Sequence, residues 1–161
     1  MIERTSMEAL PDALVVPPGE AAMTSLSDGA FELLADGGAV SASRLTLDTG
    51  VDGAPPHHHK RSHEVFYILG GTMLFRLGNT LTTLGKGGFV IIPPGLPHVF
   101  GAAEGEVADV YVVLSPGLER FGYFERLAAI SRGEAEFESL IPQQDLYDVH
   151  FEDIPDWRVA P

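Results

Sequence analysis

The 161-residue chain contains no cysteine. That absence excludes disulfides, thiolate metal sites and a cysteine nucleophile, so any bound metal must use nitrogen and oxygen donors. Positive charge is scarce: 10 Lys and Arg stand against 23 Asp and Glu, a formal net charge of −13. A chain this acidic repels phosphate backbones and anionic lipid, which argues against nucleic acid and membrane surfaces as partners. No apolar run approaches the ~20 residues that span a bilayer. Met1 to Pro11 lacks the basic stretch and apolar core of a secretory signal, so the expected compartment is the cytoplasm.

Apolar residues make up 45 %, with 18 glycines and 12 prolines. Short strands joined by tight turns use such a mixture. The length fits one domain over residues 1–161, with an N-terminal arm (1–20), a barrel core (about 39–115) and a helical tail with a closing arm (116–161). Strand-like pieces fall at Ala21–Leu26, Ala30–Leu34 and the alternating Val40–Leu47. Glu64–Leu69 is rich in β-formers and stops at Gly70-Gly71. Thr72–Leu77 and Thr80–Leu84 flank Gly78-Asn79, a two-residue hairpin signal. Phe89–Ile92, Pro97–Gly101 and Val107–Leu114 complete a pattern that predicts an all-β sandwich or small barrel. After it, Ser115 is placed to N-cap a helix with Pro116 in its first turn. Leu118, Phe121, Phe124 and Leu127 recur at helical spacing, Gly133 ends the run, and a second helical stretch is expected over about 134–140. Asp145–Asp156 reads as an acidic, solvated arm.

Four of the six histidines lie within His57–His63. On a strand, His57 and His59 share a face and His58 takes the other. Glu64 follows across a short bend, and His98 comes after Pro93-Pro94-Gly95-Leu96-Pro97. Three neutral imidazoles and one carboxylate suit Fe, Mn, Ni, Zn or Cu and disfavour Mg and Ca. His58 and His63 are expected outside the ligand set, and His150 is expected to be structural. Phe66, Phe75 and Phe100 are expected in the core or lining a pocket, and Tyr67 and Tyr111 in packing roles.

At these residues the chain resembles the cupins. Pro55-Pro56-His57-His58-His59, Glu64 and Gly71 match the first motif of that family. Gly87, Pro93-Pro94-Gly95 and His98 match the second, with Ala102 where the family often has Asn. The resemblance, over roughly Gly53–Ala102, implies a cupin jelly-roll (double-stranded β-helix) barrel with a short C-terminal helical tail. It makes His57, His59, Glu64 and His98 the ligands of one divalent transition metal ion. Glu64 is also the candidate catalytic group, able to leave the ion and act as general base. The Pro-Pro-His-x-His…Glu…Phe-Tyr run is most similar to single-domain relatives of quercetin 2,3-dioxygenase, which implies oxidative cleavage of a phenolic or enolic small molecule. A metal-dependent isomerase, cyclase or lyase, or a non-catalytic binding protein, would use the same barrel. The resemblance further implies a homodimer.

Overall fold

A computed structural model describes residues 13–161. Of the arm expected over 1–20, residues 1–12 lie outside the described residues, and 13–20 form no strand or helix. Ten strands follow: β1 (Ala22–Leu26), β2 (Gly29–Ala35), β3 (Ser41–Leu47), β4 (Asp52–His58), β5 (His63–Leu77), β6 (Thr80–Gly85), β7 (Phe89–Ile92), β8 (His98–Ala102), β9 (Ala108–Ser115) and β10 (His150–Phe151). Between β9 and β10 lie α1 (Phe121–Ser131), a 3-10 helix over Phe137–Gln143 and α2 (Gln144–Tyr147).

Two antiparallel sheets share one strand. The first half of β5 pairs with β7 and β9, in the sheet that continues through β3, β2 and β1. The second half pairs with β6 and β8, in the sheet that continues through β4 to β10. The expected stop at Gly70-Gly71 is therefore a corner inside a 15-residue strand. The β5–β9 register slips between Ile68 and Gly70, and Gly71 takes φ 66°. A Cβ there would lie 1.9 Å from the Val107 carbonyl oxygen, so only glycine lets the strand fold across β9. Gly78 takes φ 59° at the first turn position of the β5–β6 hairpin, as a type II′ turn requires.

Alternation along the strands builds the interior. β9 buries Ala108, Val110, Val112 and Leu114 and turns Tyr111 outward. Phe66, Phe75 and Phe100 meet edge-on or tilted, with centroids 4.9–6.2 Å apart. The expected packing of Tyr67 and Tyr111 is corrected: they are paired across β5 and β9 on the outer face, 46 % and 38 % exposed.

The helix after β9 starts later than Ser115 predicts. Ser115 is still in the ladder, paired with His63, so Ser115-Pro116 cannot open a helix. α1 begins at Phe121, where Asp36 Oδ1 accepts from the backbone N–H groups of Arg120 (2.6 Å) and Phe121 (2.9 Å). A carboxylate from the end of β2 thus does the work of a local cap. Phe121, Tyr123, Leu127 and Ala128 of α1 are buried, and the Phe124 ring lies 4.8 Å from Phe31. Among the described residues no helix is long and apolar enough to cross a membrane.

The corner generates a prediction. Gly71→Ala combines a disfavoured left-handed φ with a backbone clash and should cost about 3 kcal/mol or more in urea unfolding. An unchanged unfolding midpoint would remove Gly71 as the cause of the bend.

Candidate metal centre

The site forms where one sheet hands the chain to the other. His57 on β4 pairs directly with His98 on β8. The chain leaves β4, places His59, bends through Lys60-Arg61-Ser62 and enters the other sheet as β5, whose second residue is Glu64. The proline-rich loop before β8 is tied to the same bend, since Gly95 N–H donates to the His59 carbonyl at 2.7 Å.

All four side chains converge. They are buried, and one donor atom from each lies within 4.8 Å of the others. Glu64 Oε2 stands 2.6 Å from His59 Nε2, 3.0 Å from His98 Nε2 and 3.9 Å from His57 Nε2. The Nδ1 atom of each ring faces a backbone carbonyl: Pro55 at 2.7 Å for His57, Asp148 at 2.6 Å for His59, and Leu96 at 2.9 Å for His98. A carbonyl oxygen only accepts, so each Nδ1 carries the proton and each neutral Nε2 turns a lone pair inward. Three inward lone pairs around a carboxylate repel one another unless a cation or protons sit between them. This donor set fits a divalent transition metal ion.

Without an ion, protons shared with Glu64 take the place of the cation. Burial and the neighbouring His98 push His57 down to about 4, so it stays neutral. Burial alone would raise the Glu64 carboxyl, but the His59 charge and hydrogen bonds from His57, His59 and His98 outweigh it and hold it well below the usual carboxylate range. Burial likewise opposes protonation of His98, yet the bond to Glu64 carries it above the ordinary histidine value.

Two supporting residues carry no signal in the sequence. Asp148 belongs to the segment expected to be a solvated arm, but it is buried. Its carboxylate accepts from the N–H groups of Lys60 (2.8 Å) and Arg61 (3.0 Å), while its carbonyl holds His59. It takes φ 52° after α2, and β10 then pairs along β4, with Phe151 opposite His57. Arg120 is buried beside it. Its Nε donates to the Tyr147 carbonyl (2.9 Å) and its Nη2 to Ser62 Oγ (3.1 Å), 3.6 Å from Asp148.

The other histidines stay outside the cluster. His63 is exposed; His58 binds Glu152 at 2.6 Å and stacks on His150. Ala102, at the position where Asn is frequent, is fully buried in the core.

Residues 43–114, which hold all four converging side chains, match the cupin domain family. The matched stretch, 72 of the 161 residues, folds as a cupin barrel. Solved structures superpose on it. KdgF from Halomonas sp. is 22 % identical, with a TM-score of 0.56 over 63 % of this chain and 93 % of its own. An RmlC-like cupin from Shewanella frigidimarina is 19 % identical, with a TM-score of 0.57 over 66 % and 94 %. Streptomyces Pac13, solved with uridine, is 12 % identical, with a TM-score of 0.56 over 68 % and 86 %. At these identities the likeness is one of fold. A comparison with curated proteins found no sequence match.

Two expectations follow for this site. Metal affinity should fall as pH falls through roughly 8 to 5, because protons compete for the Nε2 lone pairs. Calorimetry across that range checks this, and a flat profile would contradict the assigned tautomers. Asp148→Ala should weaken metal binding by roughly 10–100-fold, read by metal titration. Unchanged affinity would reduce Asp148 to a packing role.

Proposed function

We propose that the chain is a metal-dependent enzyme acting on a small phenolic or enolic molecule, with dioxygen as co-substrate. The observation that carries this reading is the convergence of three Nε2 lone pairs and one ionised carboxylate beside an apolar cavity. His57, His59, His98 and Glu64 would hold the ion. When bound, it would supply Lewis acidity and, where redox-active, a route for electrons to dioxygen.

The chain's own groups do the rest. Phe31, Leu45, Phe100, Val112 and Leu114 wall the cavity and exclude water. All three histidine contacts fall on Glu64 Oε2, which leaves Oε1 to accept the proton of a substrate hydroxyl. The depressed Glu64 pKa keeps that oxygen ionised. The inner cavity holds only about 30 Å³, roughly the volume of one water. An outer groove of about 350 Å³ shares Ala54 and Leu127 with it. A substrate body therefore occupies the groove and reaches the cluster past Leu127 on α1.

An oxygen electrode tests the reaction. Metal-loaded protein supplied with flavonols and related enols should consume oxygen, and a His57→Ala, His98→Ala double variant should show only the buffer rate. Turnover without oxygen uptake would replace the oxidative reading with an isomerase, cyclase or lyase. A tightly retained ligand with no turnover would replace it with a binding protein. The wider fold admits such chemistry, since Pac13 is described as a nucleoside dehydratase.

We also propose that the chain pairs with a second copy of itself. The outer face of the β5–β7–β9 region carries two adjacent uncharged rows: Phe89, Tyr67 and Tyr111 in one, Ile91, Val65 and Val113 in the other. Phe89 and Ile91 are 59 % and 55 % exposed. In a chain of net charge −13, a basic partner would be drawn to the acidic surface elsewhere. What matches this face is another apolar, uncharged face, and a two-fold axis supplies it. Light scattering at micromolar concentration should give a dimer, and Phe89→Glu with Ile91→Glu should give a monomer. A monomeric native chain would end the proposal.

A further inference from the structure

Two polar groups lining the inner cavity each keep a donor that the metal cluster does not use. Arg120 is 1 % exposed and Tyr123 4 %. Both side chains line the cavity that also takes in His57, His59 and Glu64. The Arg120 guanidinium is held rigidly, as Nε and Nη2 have their partners in Tyr147 and Ser62, yet its Nη1 is buried without one. The Tyr123 hydroxyl is likewise buried without a partner. Leaving such donors unmet in an apolar interior is costly, and natural structures rarely keep them without a use. Burial and the Glu64 charge both push the Tyr123 hydroxyl upward, so it remains a donor.

Charge points to what would meet them. With a divalent ion in place, Glu64 and Asp148 oppose it and Arg120, and the three histidines are neutral. One net positive charge then remains around a low-dielectric cavity, a deficit that a singly charged anion removes. Two unmet donors lining one small cavity, one of them from a planar guanidinium, suit the two oxygens of a carboxylate.

We propose that Arg120 Nη1 and the Tyr123 hydroxyl form an anion subsite beside the metal cluster, and that the substrate carries one carboxylate that docks there. This rests on the metal-dependent reading above and deepens it. The Ser62 and Tyr147 contacts fix the guanidinium, so its orientation is set before substrate arrives, and the water-sized cavity widens to take the carboxylate. Its position on α1, next to Leu127 between groove and cavity, makes the helix the part of the fold that selects substrate charge.

Cobalt-loaded protein titrated with acetate or with neutral acetamide tests this, with visible absorption and calorimetry as readouts and metal content measured for every variant. Acetate should bind and acetamide should not. Tyr123→Phe should keep its metal, melt no lower than the native protein, and bind acetate about tenfold more weakly, the loss expected for one hydrogen bond to a charged group. Arg120→Gln should abolish acetate binding, compared at equal cobalt content because Arg120 also braces Asp148. If it does not fold, Tyr123→Phe decides alone. Acetate affinity within twofold of native in Tyr123→Phe, or equal binding of acetamide, would overturn the subsite while leaving the metal reading intact. A native protein that takes up no cobalt would overturn both.

Discussion

Three backbone carbonyls set the chemistry of the cluster. Those of Pro55, Leu96 and Asp148 each take the Nδ1 proton of one histidine, and this alone turns three Nε2 lone pairs toward Glu64. Two of these carbonyls lie two residues before their histidines, so local backbone shape suffices for His57 and His98. The third comes from 89 residues away. The site is therefore complete only when the C-terminal segment has zipped β10 onto β4 and brought Asp148 over the bend. Asp148 also covers two N–H groups that the Lys60-Arg61 turn would leave unmet. One residue in a left-handed conformation thus closes the backbone hydrogen bonds and the histidine tautomer together.

That division between local and distant contacts explains what could be read from the sequence. His57, His59, Glu64 and His98 were legible because strand alternation and a proline-stiffened loop govern them over a few residues. Several strands were legible within a residue or two for the same reason, as in Ser41–Leu47 and Phe89–Ile92, whereas β4 was given no bounds and β10 lay in the segment expected to be a solvated arm. Asp148 and Arg120 were not. An aspartate in an acidic stretch and an arginine before a helix look like ordinary surface residues, and nothing within ten positions announces their partners. The start of α1 failed in the same way. Ser115-Pro116 has the composition of a cap, but the ladder claims Ser115, and the carboxylate that meets the helix, Asp36, stands just after β2. At Gly70-Gly71 the signal was real and its meaning different: glycine there permits a corner, and the strand continues beyond it.

Burial raises a second question, how so much charge is tolerated at the end of an apolar barrel. Glu64, Asp148 and Arg120 are all at most 4 % exposed. Isolated, each would cost several kcal/mol of desolvation. Together they partly cancel, as the guanidinium lies 3.6 Å from Asp148 while its field also reaches Glu64. Burial and the Arg61 charge still pull Arg120 below its ordinary value despite both acids. A fold that retains such an arrangement at one end, with Phe66, Phe75 and Phe100 packed dry at its centre, concentrates its polar expense where a cation and an anion can offset it.

Helix α1 brings these strands of argument together. Its apolar residues Phe124 and Leu127 seal the barrel and leave only a water-sized space, while Arg120 and Tyr123 at its start present donors to that space. A plug needed only for stability would have leucine or phenylalanine at both positions, since apolar side chains of that size bury surface without an unmet donor. The same helix also forms one wall of the outer groove through Leu127 and Ile130. Its N-terminal end is pinned by Asp36 and by the contacts of Arg120, and its C-terminal end by Ser131 Oγ, which accepts from the Ser27 N–H, whereas Leu127 and Ile130 lie roughly two to three turns beyond Arg120 and rest on side-chain packing. Motion that admits a substrate is therefore cheapest at the Leu127 turn, where it breaks apolar contacts and no backbone cap, and it leaves Arg120 in place to meet the ligand.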